Sequence, residues 1–225
     1  MAGMQRAIRS FVTRAGRITP AQERALHEHW PLFGLEPTDA ALTLDAVFGR
    51  SAARTLEIGF GNGDYLLGRA QEAPERDFLG IEVHRPGVGH LLLAAARAGV
   101  RNLRVVCHDA VEILPLIPAG ALDEVLLLFP DPWPKKRHHK RRIVQPEFVE
   151  LVAHRLCAGG RFRLATDWEP YADHMLAVLR GCARLRNCAG EDGFVTRPAD
   201  RLATRFERRG TRLGHNVRDL AFERL

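Results

Sequence analysis

The chain has 225 residues, 46% hydrophobic and 27% charged, with 33 Lys and Arg against 27 Asp and Glu. It is long enough to bury a core without disulfides, and its composition is that of a globular protein rather than a fibrous or disordered one. The longest unbroken apolar run, Leu91 to Ala96, is far too short to span a bilayer, and without an apolar h-region near Met1 no secretory signal is expected.

Residues 1–22 carry Arg6, Arg9, Arg14 and Arg17 and no acid, which reads as a basic arm. Thr19-Pro20-Ala21-Gln22 is a helix start, with Thr as N-cap, Pro at the first helical position and Gln three residues on. That helix is expected to stop before Pro31. The domain reading is therefore an arm and helix over 1–34 and one main domain over 35–225.

From about Thr38 the pattern changes. Ala41, Leu42, Val47 and Phe48 recur at helical spacing. Strands are then predicted at Arg54–Ile58, Phe78–Glu82, Leu103–Cys107, Asp123–Phe129 and Arg161–Ala165. Helices are predicted between them at Asp64–Ala73, Pro86–Ala98, Pro146–Leu156 and Glu169–Arg180. Such alternation implies parallel βαβ units with helices on both faces of the sheet, and strands buried on both faces explain the continuous apolar runs. The tail differs: Thr204–Glu207 and Val217–Glu223, joined through a Gly-containing loop, read as an antiparallel hairpin. The expected fold class is α/β, a Rossmann-like, mostly parallel seven-stranded sheet ending in that hairpin.

Ligands of open α/β sheets bind beyond the carboxyl ends of the strands. Each of five predicted strand ends offers a carboxylate there: Glu57, Glu82, Asp109, Asp131 and Asp167. Gly59, Gly61 and Gly63 form GxGxG, and Asp64 stands where a dinucleotide fingerprint needs its third Gly. Glu57 two residues before the first Gly would repel a pyrophosphate, which argues against NAD, but it suits a ligand carrying an ammonium or sulfonium. Glu82 is placed to accept ribose hydroxyls, and Asp109 to accept from an adenine amino group.

Charge is concentrated. Residues 135–142 read KKRHHKRR and contain all three lysines of the chain; outside them the balance is 27 basic against 27 acidic residues. A solvated loop and a polyanion partner both fit such a run. Cys107, Cys157, Cys182 and Cys188 form no CxxC pair, so no structural zinc is expected. Isolated cysteines without a signal point to a reducing, cytoplasmic setting.

EIGFGNG, GIEVHRPGVG, CHDA, FPDPWPKKRHHKRRIVQPEF, ATDWEPYA and TRFERRG together resemble the bacterial tRNA (guanine-N7-)-methyltransferase family. The likeness runs from about Arg9 to the terminus, and FPDPW followed at once by the basic run is its most specific part. The resemblance implies S-adenosylmethionine as methyl donor and N7 of a guanosine in the tRNA variable loop as acceptor. It implies cofactor contacts at Glu57, Gly59, Gly61, Gly63, Glu82, Asp109 and Asp131, with Asp131 also catalytic. It implies substrate contacts at Lys135, Asp167, Thr204, Arg205, Phe206 and Glu207, and an RNA-binding segment of Arg137, His138, His139, Lys140, Arg141 and Arg142. No metal and no membrane are implied, and a monomer or a homodimer is equally compatible. Two small departures are Pro134 before Lys135 and Asn62 in the glycine loop.

Guanine N7 carries an in-plane lone pair and needs no deprotonation before it attacks a methyl group, so no general base is required at the nucleophile. A carboxylate near the base can stabilise the developing positive charge or hold the N1 and N2 donors. Asp131 suits either role, while the bland reading is an Asp-Pro turn. Trp133 suits stacking or packing, and Asp167 a substrate contact or the N-cap of the next helix. His84 reads as a structural residue holding the loop after Glu82. Two rivals remain. An amino methylase of another substrate would resemble D/N-P-P-Y where this chain has DPW. A non-catalytic RNA-binding module on the same scaffold would be expected to have lost the cofactor carboxylates, all of which are present.

Overall fold

The computed structural model describes residues 8–11, 17–38, 40–190, 193–198 and 216–225. The chain enters through helix α1 (Pro20–Glu28). Its start is a capping box: Thr19 Oγ1 accepts from the Gln22 amide at 3.2 Å, and Gln22 Oε1 accepts from the Thr19 amide at 2.8 Å, satisfying donors that a helix start leaves open. The helix does not continue to Trp30. It ends at Glu28, and a short helix α2 (Trp30–Phe33) restarts with Pro31 in its first turn, where a missing N–H costs nothing. Of the helical spacing read between Ala41 and Phe48, only α3 (Leu44–Phe48) is helical, closed by Gly49 in the left-handed region.

The sheet then forms in alternation with helices. The order along the chain is β1 (Arg54–Ile58), α4 (Asp64–Glu72), β2 (Asp77–Ile81), α5 (Arg85–Ala98), β3 (Leu103–Val106), α6 (Ala110–Ile113), β4 (Leu122–Leu128), α7 (Pro146–Arg155), β5 (Leu156–Thr166), α8 (Glu169–Arg180), β6 (Leu185–Asn187) and β7 (Arg218–Arg224). The spatial order is β3-β2-β1-β4-β5-β7-β6. β1 to β5 run parallel, and β7 is antiparallel to both β5 and β6. The chain winds outward from β1 to β3, then returns to the other side of β1 at β4, so the topological switch point lies between β1 and β4.

The mostly parallel seven-stranded sheet with its antiparallel end agrees with the sequence expectation. β7 pairs with the three-residue β6, whose Leu-Arg-Asn gives no strand signal, and Thr204–Glu207 lies outside the described residues. β5 is also longer than expected, running through Gly159 and Gly160, with a register shift against β4 between Leu122 and Glu124.

Period-two alternation sorts the strand residues between two faces. Leu56, Ile58, Leu79, Ile81, Val125, Leu127, Phe162 and Leu164 pack with α7 and α8 in the larger core. On the other face Phe78, Leu103 and Val105 pack under α1, α4 and α5, and Leu126, Leu128 and Ala165 pack with Tyr65. Helix α1 belongs to that second core through Ala25 and Leu26, and a Cβ on Gly89 of α5 would stand 2.7 Å from the Gln22 carbonyl oxygen. The helix grouped with the arm in the sequence therefore shares the core of the main body.

Candidate functional site

The loop from β1 to α4 lies at the switch point. Gly59, Gly61 and Gly63 all have positive φ, +74°, +60° and +79°, a region open to glycine at no steric cost. A Cβ on Gly59 or Gly61 would meet nothing within 4 Å, so open space lies against the loop. Gly63 is different, because a Cβ there would lie 2.7 Å from the Leu91 side chain. The loop is also fixed by main-chain bonds: the Gly59 amide donates to the Ile81 carbonyl of β2 at 2.8 Å and, within the loop, the Gly63 amide to the Phe60 carbonyl at 2.9 Å.

Glu82, the residue after β2, completes this frame. Its Oε2 accepts from the Gly61 amide at 2.8 Å, and its Oε1 from the Val83 and His84 amides at 2.7 and 2.9 Å. The carboxylate expected to face a ribose thus also holds the glycine loop against the second strand. His84 is structural, as read from sequence: its Nδ1 accepts from the Gly87 amide as N-cap of α5.

Glu57 sits within β1, in register with Gly80 and Leu126, on the α4 face. It is 3% exposed, and its Oε2 has no hydrogen-bond partner among the described residues. Burial first, and the neighbouring Glu82 charge second, push its carboxyl up from 4.5 to about 8, against an opposing pull from Arg69. Arg69 on α4 was not legible as part of the site. It donates to the Tyr65 hydroxyl at 3.1 Å and stands 3.8 Å from Glu124, itself buried with Arg163 at 3.1 Å and Thr55 at 3.1 Å. A buried carboxyl with an orphan oxygen is a costly arrangement, and a cationic organic ligand would relieve it.

Asp109 is buried after β3, and its Oδ1 accepts from the Val111 amide at 3.0 Å as N-cap of α6. Asp131, beyond β4, is exposed and close enough to Tyr171 for its charge to help hold that phenol above its usual range, an effect in which burial comes first. Asp167 is half-buried just beyond β5. It is not the N-cap of α8, a place taken by Trp168. The five expected carboxylates thus gather at one edge of the parallel strands. Thr204, Arg205, Phe206 and Glu207 lie outside the described residues.

The basic run forms a turn of 3₁₀-helix, Lys136–Arg141, with Lys135 as its N-cap. Lys135, Lys136, Arg137 and Lys140 are exposed. His138 is held below the usual imidazole range, first by desolvation, then by Arg137, Arg141 and Lys135. Arg142 departs from the expectation of an RNA-facing residue. It is 3% exposed, its Nε donates to the Pro132 carbonyl at 3.0 Å, and its guanidinium lies 4.8 Å over the Tyr171 ring. Sequence position alone placed it with the exposed cations; the Pro132 carbonyl and the Tyr171 ring give it a structural task. Trp133 is likewise built in: Arg141 lies 4.8 Å over its ring, His138 meets it edge-on at 5.8 Å, and its Nε1 donates to the Ser10 carbonyl at 3.1 Å.

No group of three or more His, Cys, Asp or Glu among the described residues is arranged to hold a metal ion, and no helix among them is long and apolar enough to cross a membrane. Residues 51–220 match a family model described as "Putative methyltransferase". Solved structures of similar fold include the 16S rRNA methyltransferase KamB, 18% identical, TM-score 0.59, over 86% of this chain and 99% of that chain. The aminoglycoside resistance methyltransferase NpmB1 is 18% identical with TM-score 0.54, over 81% and 92%. The family match over most of the chain, on this α/β fold, makes the chain a member of a methyltransferase family.

Sequence relatives narrow this further. A protein of Leifsonia xyli subsp. xyli (strain CTCB07) named tRNA (guanine-N(7)-)-methyltransferase is 56% identical over 218 residues, 96% of each chain. Proteins of the same name from Pseudomonas entomophila (strain L48) and Escherichia coli O139:H28 are 57% and 55% identical over 221 residues, covering 98% of this chain and 92% of theirs. The chain belongs to the tRNA (guanine-N(7)-)-methyltransferase family.

Proposed function

We propose that this protein transfers a methyl group from S-adenosylmethionine to N7 of a guanosine in the variable loop of tRNA. The observation that carries the cofactor reading is the pairing of Glu57, buried with an orphan oxygen, with the open space over Gly59 and Gly61. When bound, S-adenosylmethionine supplies an electrophilic methyl on a sulfonium. Glu57 offers its carboxylate to the cationic part of that ligand, the glycine loop leaves it room, and Glu82 holds the loop in shape. Asp109 borders the site beyond β3.

Asp131 is assigned to the reacting centre. It stands beyond the strand that faces β1 across the switch point, exposed where a base would arrive. Its charge stabilises the positive ring that forms as N7 gains the methyl, or accepts from the guanine N1 and N2 donors. No proton leaves N7, so the work of the site is alignment and electrostatics. Lys135 and Asp167 flank the same edge as substrate contacts. Arg137, Lys140 and Arg141 supply phosphate contacts, which orient the RNA without reading its sequence. A reducing cytoplasm is the setting consistent with a tRNA substrate and four free cysteines.

The reading is tested with tRNA in which the variable-loop guanosine is replaced by 7-deazaguanosine. That base lacks N7, so methyl transfer should vanish while tRNA binding persists. Transfer that continues on the deaza substrate would point to another acceptor atom and overturn the proposal.

A further inference from the structure

Trp133 joins parts of the chain that are far apart in sequence. Its Nε1 donates to the main-chain carbonyl of Ser10 at 3.1 Å, a partner 123 residues away. Ser10 is buried, 8% exposed, although it belongs to a segment whose composition alone reads as a solvated arm. Next to it Arg9 is exposed, with its guanidinium 5.8 Å over the Phe11 ring. Arg141 also lies over the indole face at 4.8 Å, and His138 at its edge at 5.8 Å. The residue itself has φ +43°, unusual for a bulky side chain and typical of positions that the surroundings over-determine. The same loop is held from beneath by Arg142, through its bond to the Pro132 carbonyl.

These contacts place Ser10, beside Arg9, and the basic run against one indole. The arm carries four Arg and no acid through residue 22, and the run at 135–142 carries six basic residues and no acid. Two like-charged segments repel each other, so a neutral aromatic that hydrogen-bonds one and stacks on the other is a means of holding them side by side. The surface so assembled suits a polyanion longer than either segment.

We infer that Trp133 is a positioning residue that fixes the segment around Arg9 and Ser10 and the basic loop together as one RNA-contacting surface beside the transfer site. The inference rests on the tRNA reading above. It assigns the arm a role in substrate binding and assigns the Trp of the PDPW segment to assembling that surface, distinct from base stacking.

The test uses the full-length chain with W133F, R9A and the double variant. W133F removes the Nε1 donor but keeps a ring for Arg141. Its expected effect is faster trypsin cleavage at Arg9 and about fivefold weaker tRNA binding, the fold-change of one net hydrogen bond. The loss should appear in the KM for tRNA rather than in kcat, with S-adenosylmethionine affinity held. R9A should weaken tRNA binding to a similar degree. In the double variant the losses should not multiply, because an arm already released gains little from Arg9. Independent, multiplying losses would overturn the inference, as would unchanged cleavage at Arg9 in W133F. A wild-type chain that binds no tRNA would overturn the functional reading and the inference together, whereas failure of the W133F effects alone would leave the functional reading standing.

Discussion

The Gly61 amide donates to Glu82 Oε2 at 2.8 Å, so the loop after the first strand is fixed by the carboxylate that ends the second. Glu82 accepts two further amide bonds on its other oxygen, and an amide side chain in its place can accept on one oxygen only. E82Q should therefore loosen the glycine loop. The expected loss is about 1–3 kcal/mol of stability, the cost of unpaired donors, with at least tenfold weaker S-adenosylmethionine binding. Thermal denaturation and calorimetric titration of the purified variant measure both.

Gly87 tests the same frame from the helix side. A Cβ there would stand 2.1 Å from the Gly61 carbonyl oxygen, so G87A has to displace either the α5 start or the loop. Cofactor affinity should fall while the far end of the sheet keeps its order. Calorimetry combined with amide exchange at β5 and β7 checks this, and unchanged affinity would contradict the close approach.

Glu57 makes stability depend on pH. Its carboxyl is pushed up from 4.5 to about 8, so between those values the folded chain keeps a proton that the unfolded chain has released. Stability of the cofactor-free protein should therefore fall as pH rises through this window, by up to roughly 4–5 kcal/mol. E57Q removes the titration. Its melting temperature should exceed the wild-type value increasingly from pH 5 to pH 9, by several degrees at the upper end. A constant difference across the series would contradict the burial argument.

The basic run divides into two kinds of residue. R142A should lower the melting temperature, costing about 2–4 kcal/mol through the lost bond to Pro132 and the lost contact with Tyr171. R137A and K140A should leave stability nearly unchanged. They should weaken tRNA binding and reduce the salt slope of affinity by about 0.7–0.9 for each lost phosphate contact. Salt titrations of the three variants separate these outcomes.

Much of the architecture was legible because parallel strands buried on both faces carry a plain apolar signature. β1, β4 and α8 lie within a residue of their expected ends, and the carboxylates from Glu57 to Asp167 fall at the edge where the topology puts them. What was not legible depends on distant partners. β6 is three residues long and exists because β7 offers it an edge. Arg142 reads as one more cation in a run until Tyr171 is brought beneath it. The same holds for Ser10, whose carbonyl accepts from a tryptophan 123 residues away, and for Arg69, one of many arginines until α4 sets it beside Glu57 and Glu124.

Asp131 bears on the chemistry alone. D131A should abolish methyl transfer while S-adenosylmethionine and tRNA still bind, because the side chain is exposed and its removal leaves the core intact. Near-normal turnover would remove Asp131 from the reacting centre.

The central claim is tested most directly by supplying the wild-type protein with methyl-labelled S-adenosylmethionine and unmodified bulk tRNA, then digesting the tRNA to nucleosides. The account predicts that the label is recovered as 7-methylguanosine and is lost in D131A. Label recovered in another methylated nucleoside, or no transfer to tRNA at all, would contradict it.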